Sequence, residues 1–124
     1  MAKINLLLVD DETEFVVTLS ERLALRNFDS TCVFNGDEAI ERIATRQPDV
    51  MILDLKMPGT DGMEVLRRVR KSHPDIQVII LTGHGSEKDE ADARRLGAFA
   101  YLNKPVEIET LTKYINRAYD NQTN

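Results

Sequence analysis

Residues 50–62, VMILDLKMPGTDG, decide how this chain is read. A four-residue apolar run, Val50 to Leu53, stops at an acid, Asp54, and after Leu55 comes the turn-forming KMPGTDG. Short continuous apolar runs bounded by turn signals fit buried parallel strands. Working outward, three other runs end in the same manner. INLLLV runs into Asp10 and Asp11, IQVIIL into Thr82, and FAYLN into Lys104. Open α/β sheets build their sites beyond the carboxyl ends of their strands. These runs therefore place three carboxylates, a hydroxyl and an ammonium in one pocket. Clustered carboxylates raise each other's pKa, and a divalent cation with oxygen ligands holds them ionised together. The pattern reads as a magnesium-dependent phosphate site.

Strand and helix periods alternate along all 124 residues, with five of each. The strands are expected near Ile4–Val9, Ser30–Phe34, Val50–Leu53, Ile76–Leu81 and Phe99–Leu102. The first helix, about Thr13–Leu25, carries Phe15, Leu19 and Leu23 on one stripe with Val16 beside it. The second runs Asp37–Thr45 with Ile40 and Ile43 inward, and the third starts near Gly62 and stops before Pro74. Ser86 and Asp89 form a capping box for the fourth, whose EKDEADARR offers only Ala91, Ala93 and then Leu96 to a core. Gly97 is placed to end it. The fifth is expected over Glu107–Ala118, on Ile108, Leu111 and Ile115. Right-handed crossovers then give a doubly wound α/β three-layer sandwich on a five-stranded parallel sheet. One domain, residues 1–120, is expected, with 121–124 as a frayed tail.

A net charge of −5 argues against direct nucleic-acid binding, since non-specific affinity comes from neutralising phosphates. The basic LRRVRKSH is the solvated face of a helix, with Leu66 and Val69 inward. No run is long enough to cross a bilayer, and MAKINLLLVDD enters a strand without an apolar leader, so a cytoplasmic protein without membrane contact is expected. The single cysteine, Cys32, reads as a core thiol.

The chemistry follows from residue type. Asp54, at a strand end before a flexible turn, is the expected nucleophile, giving an aspartyl phosphate. Asp10 and Asp11 supply hard oxygens for Mg²⁺. Lys104 offers a compact charge and Thr82 a rotatable donor to the phosphoryl oxygens. Each placement alone has an ordinary explanation as a cap or loop residue; five together at the ends of four strands do not.

LLLVDDE, VMILDLKMPGTDGMEVL, VIILTGHG and GAFAYLNKP together resemble the receiver domains of two-component response regulators, over essentially the whole chain. The resemblance implies a CheY-like, flavodoxin-like strand order 2-1-3-4-5 and a phosphoprotein that acts in phosphorelay signal transduction. It implies Asp54 as phosphoacceptor, Asp11 as a direct Mg²⁺ ligand, Asp10 acting on the metal through water, and the Lys56 backbone carbonyl as a further ligand. Thr82 is implied as the switch hydroxyl, Tyr101 as the aromatic that moves with it, Lys104 as the phosphate-binding lysine, and Lys104-Pro105 as a cis peptide. Lys56 and His84 fall at positions that tune dephosphorylation. The implied partners are a sensor histidine kinase or phosphotransfer protein, docking beside Thr18, Glu21 and Arg22, and a downstream effector domain or target protein. A phosphorylation-dependent homodimer is allowed. Such a domain is not an enzyme in the ordinary sense: it catalyses only its own phosphorylation and dephosphorylation. The competing readings are a phosphorylation-independent interaction module and a Mg²⁺-dependent phosphatase with an aspartyl nucleophile. The phosphatase places its acids at alternate positions and needs a cap for which this chain has no room.

Overall fold

The computed structural model describes residues 3–123, with the Thr123 side chain left aside. Along the chain run β1 (Ile4–Val9), α1 (Thr13–Ala24), β2 (Phe28–Val33), α2 (Gly36–Thr45), β3 (Val50–Leu53), β4 (Lys56–Met57), β5 (Thr60–Asp61), α3 (Gly62–Ser72), β6 (Gln77–Thr82), α4 (Glu87–Arg95), β7 (Ala100–Asn103) and α5 (Ile108–Thr123). The main sheet is parallel in the order β2-β1-β3-β6-β7. This is the expected 2-1-3-4-5 order, because β4 and β5 pair only with each other.

Side chains alternate across a strand, and that alternation sorts the core into two layers. Leu7, Val9, Met51, Leu53, Val78 and Ile80 pack with Ala39, Ile43, Val65, Leu66, Val69 and Ala93 of α2, α3 and α4. On the opposite face Leu6, Leu8, Val50, Ile52, Ile79 and Leu81 pack with Val16, Leu19 and Leu23 of α1 and Ile108, Leu111 and Ile115 of α5. Both faces of the central strands are covered, which is why those strands are apolar throughout.

The structure adjusts several expected boundaries. β2 begins at Phe28, two residues before the expected start, because Asn27 turns the chain at φ +70° and Ile4 then registers with Phe28. The polar Asp29 had hidden that strand start. β6 and β7 extend through Thr82 and Asn103, which pair with each other. KMPGTDG is not a loose turn but a two-residue hairpin, Lys56 opposite Asp61, reversed at Gly59 with φ +73°. In α4 only Ala93 is buried, and Ala91, expected inward, is exposed. Cys32 is half-buried at the edge of the second core layer rather than inside it. The segment expected to fray is helical through Thr123, and Gln122 Nε2 donates to the Asp75 carbonyl at 2.9 Å. Asn124 lies outside the described residues. Among the described residues, no helix is long and apolar enough to cross a membrane.

Candidate functional site

Asp10 follows β1, Asp54 follows β3, Thr82 ends β6 and Lys104 follows β7, so parallel register carries all four to one edge of the sheet. The Lys104 amide donates to the Thr82 carbonyl at 2.9 Å, and the Asp54 amide to the Val9 carbonyl at 3.0 Å. These backbone bonds hold the residues beside one another before any side chain acts.

Lys104 Nζ stands at the centre of the site. It donates to Asp10 Oδ2 at 2.8 Å, Glu12 Oε1 at 2.6 Å and Asp54 Oδ2 at 3.3 Å, and lies 4.5 Å from the centre of the Phe15 ring. Asp10 and Asp54 are buried, at 4% and 5% exposure. Burial, above all, raises the Asp10 carboxyl above its ordinary value, against the lowering effect of its hydrogen bonds to Lys104 and the Glu12 amide. For Lys104 burial alone would lower the pKa, but hydrogen bonds to Asp10 and Glu12 and the charges of Asp10 and Asp54 outweigh it, so the ammonium is held more firmly than usual.

Asp10, Glu12 and Asp54 each offer a carboxylate oxygen within 4.8 Å of the others. Three hard oxygens at that spacing suit an ion such as Mg²⁺. Asp11 and Glu12 are both exposed; Asp11 lies outside this cluster, while a Glu12 oxygen stands beside Lys104. The cause is local. The Glu12 amide donates to Asp10 Oδ1 at 2.9 Å, an Asx turn that swings Glu12 over the pocket. The acidic run Asp10-Asp11-Glu12 was the available signal; which of the last two reaches Lys104 was not readable from it.

The remaining predicted residues divide into buried and exposed. Thr82 and Tyr101 are buried, and neither Thr82 Oγ1 nor Tyr101 Oη has a hydrogen-bond partner. Burial chiefly, and then the charges of Asp89, Glu90 and Asp54, raise the Tyr101 phenol. Lys56 is exposed; its amide donates to Asp54 Oδ1 at 3.2 Å and its ammonium lies 3.3 Å from Asp89 Oδ2. His84 is exposed, and the Lys104-Pro105 bond is cis. Gly62 was not singled out for the site, yet a Cβ there would lie 2.5 Å from Leu55 Cα and 2.9 Å from the Asp54 carbonyl oxygen. Only hydrogen at this position lets α3 start against the peptide that carries Asp54.

Residues 6–116 match the family described as the response regulator receiver domain. Among relatives, the DNA-binding transcriptional regulator NtrC of Escherichia coli is 36% identical over 110 residues, 89% of this chain and 24% of that protein. The luminescence regulatory protein LuxO of Vibrio campbellii is 37% identical over 111 residues, covering 90% of this chain and 24% of that one. The chain thus spans about a quarter of the length of these relatives. Among solved structures, the CheY-like response regulator receiver domain protein from Methanospirillum hungatei superposes with a TM-score of 0.93 at 26% identity, covering 98% of this chain and 97% of that one. A receiver domain protein from Clostridium thermocellum gives 0.90 at 33% identity, with 97% of each chain covered. A fold shared over almost the whole chain, with an acidic pocket at its strand ends, agrees with the sequence match: the chain belongs to the receiver domains of two-component response regulators.

Proposed function

We propose that Asp54 accepts a phosphoryl group from the phosphohistidine of a sensor histidine kinase or phosphotransfer protein, and that the modification resets the face formed by α4, β7 and α5. The observation that carries this reading is the buried Asp54 carboxylate, with one oxygen bonded to the Lys56 amide and the other to Lys104. An Asp54 oxygen forms the new bond to phosphorus as the bond to the donor imidazole nitrogen breaks, with the electron pair leaving on that nitrogen. Lys104 shifts from carboxylates to phosphoryl oxygen, and Thr82, a buried donor without a partner, turns toward the added charge. Asp10, Asp11 and Asp54, with the Lys56 backbone carbonyl, would hold Mg²⁺ with the Glu12 carboxylate close by, and the ion when bound would neutralise charge that repels the incoming phosphate. The domain acts on its own aspartate and returns it by hydrolysis; it is not an enzyme for a separate substrate.

Thr18, Glu21 and Arg22 are exposed on α1, the helix that follows Asp10 and Glu12, and are proposed to select the kinase. The output passes to an effector domain or target protein, and setting is cytoplasmic. Intact-mass spectrometry after incubation with acetyl phosphate and Mg²⁺ tests the core of the proposal. One phosphoryl adduct, lost in Asp54→Ala and with EDTA, is expected. Absence of an adduct together with failure to bind beryllofluoride would favour a phosphorylation-independent interaction module.

A further inference from the structure

We infer that Phe15 is a positioning residue for Lys104: its ring seats the ammonium between Asp10 and Asp54 through the charge distribution of the aromatic face, and not by filling space alone. This rests on the reading of Lys104 as the phosphate-binding lysine. Lys104 Nζ lies 4.5 Å from the centre of the Phe15 ring. A cation within about 6 Å of an aromatic face is attracted by the ring quadrupole, and more strongly where water is excluded. The Lys104 side chain is 12% exposed, so the contact is largely dry.

Phe15 stands in the first turn of α1, half-buried against the second core layer. Its place on the stripe with Leu19 and Leu23 calls for an apolar residue, and an aliphatic one would serve that packing. What the ring adds is a negative face. The lysine arrives from the other side: a Cβ on Gly83 would stand 3.8 Å from Lys104 Cδ, so the stem runs past the bare Gly83 backbone and its tip reaches Phe15. An ammonium has three N–H donors, and Asp10, Glu12 and Asp54 take all three. The ring competes for none of them. A small cavity is lined by Phe15, Leu19, Ile52 and Leu81 together with Asp10 and Asp54. A shorter side chain at position 15 would enlarge it beside the two carboxylates and admit water, which weakens every charge contact there.

The seat matters because the three carboxylates do not pull equally. Glu12 is nearest, at 2.6 Å, and is 61% exposed, whereas Asp54 is farthest, at 3.3 Å. On a flexible four-carbon stem, an ammonium without the ring beneath it would follow Glu12 toward solvent and leave the acceptor. Phe15 also carries α1 into the site: the helix that presents Thr18, Glu21 and Arg22 touches Lys104 through its own first turn.

The test replaces Phe15 in the full chain by phenylalanines bearing one, two or three ring fluorines, which drain the negative face while nearly keeping the shape. Urea unfolding in EDTA, without phosphate analogue, is measured in the unmodified background and in Lys104→Gln. Each fluorine is expected to lower the folding constant when Lys104 is present, by about two- to thirtyfold in all for the trifluoro ring. The trend is expected to vanish in Lys104→Gln. A flat series at position 15, or one that persists undiminished in Lys104→Gln, would overturn the inference. The same series at Phe99, half-buried on the same core layer, supplies a comparison that needs no change at Lys104. An equal trend at both rings would also overturn it. As a second readout, the Lys104 ε-methylene protons, assigned with Lys104→Arg, are expected upfield from the ring current in the unmodified chain and in Phe15→Tyr, and at ordinary lysine positions in Phe15→Leu. Ordinary positions in the unmodified chain would refute the seat. Separately, beryllofluoride with Mg²⁺ is expected to bind more weakly along the fluorine series. If the unmodified chain binds no beryllofluoride, the phosphate-binding reading of Lys104 fails, while the unfolding series still decides whether Phe15 seats the ammonium.

Discussion

Lys104 and Asp54, fifty positions apart in the chain, meet at 3.3 Å inside an acidic pocket, and the lysine is at the same time closer to Asp10 and Glu12. One ammonium thus serves three carboxylates, two of them buried. Removing it in Lys104→Met leaves Asp10 and Asp54 without a cation, and the expected loss of stability is about 3–5 kcal/mol, given what unpaired buried charges cost. Urea denaturation in EDTA measures it, and Mg²⁺ is expected to restore part. The pH dependence has a definite sign. Lys104 is raised in the folded state, so its contribution is fully present below its ordinary 10.5 and is lost as pH rises through the higher folded value. The alkaline fall in stability should be shallower in Lys104→Met.

Gly62 is expected to be far less replaceable than Gly59. A methyl at Gly62 would meet the backbone of Leu55 and Asp54, which cannot swing aside, and overpacking of that kind costs about 1–3 kcal/mol. It should also slow adduct formation, because the displaced peptide bears the acceptor. Gly59 has nothing within 4 Å of its added Cβ but sits at φ +73°, so Gly59→Ala should cost about 1–2 kcal/mol of backbone strain. Adduct formation should stay at the rate of the unmodified chain. Urea midpoints and initial rates with acetyl phosphate separate the two.

Helix α4 is held at its start by its cap more than by its core. Ser86→Ala is expected to cost about 1 kcal/mol there. Amide exchange in α4 should then quicken by roughly fivefold while β6 is unaffected. The Asp89 carboxyl is held below its ordinary 3.8 by the Ser86 amide first and by Lys56. Its support is therefore present above 3.8 and lost as pH falls through the lowered value. Loss of ¹³Cα helical shifts in residues 87–90 at acid pH, ahead of those in α3, checks this.

Lys56 and His84 are expected to leave the phosphoryl lifetime nearly unchanged. The Lys56 ammonium is engaged by Asp89, and His84 is exposed. Acid–base participation contributes about 10²–10⁴-fold, so first-order decay within about threefold of the unmodified chain in Lys56→Ala and His84→Ala would show neither takes part. A hundredfold slowing in His84→Ala would assign the water-holding role to it.

Most of the architecture was legible because it depends on short-range patterns. The buried runs at Ile4–Val9 and Val50–Leu53 and the third helix from Gly62 stand where apolar period and turn residues put them. Errors arose where local polarity misled, as at Asp29 in β2, or where distant contacts extended an element, as when Gln122 reaches the Asp75 carbonyl and keeps α5 helical. Ala91 shows the same limit, since a helix with so few apolar residues does not declare its inner face.

From residue order alone came Asp10, Asp54, Thr82 and Lys104 as neighbours, because parallel strands deliver their carboxyl ends to one edge whatever lies between them. Only the tertiary structure decided that Glu12 and not Asp11 turns to Lys104, that Phe15 lies beneath it, that Gly62 abuts Leu55, and that Tyr101 rests over Gly85. Those relationships depend on how elements seat against one another in three dimensions, and close packing, not local propensity, sets them.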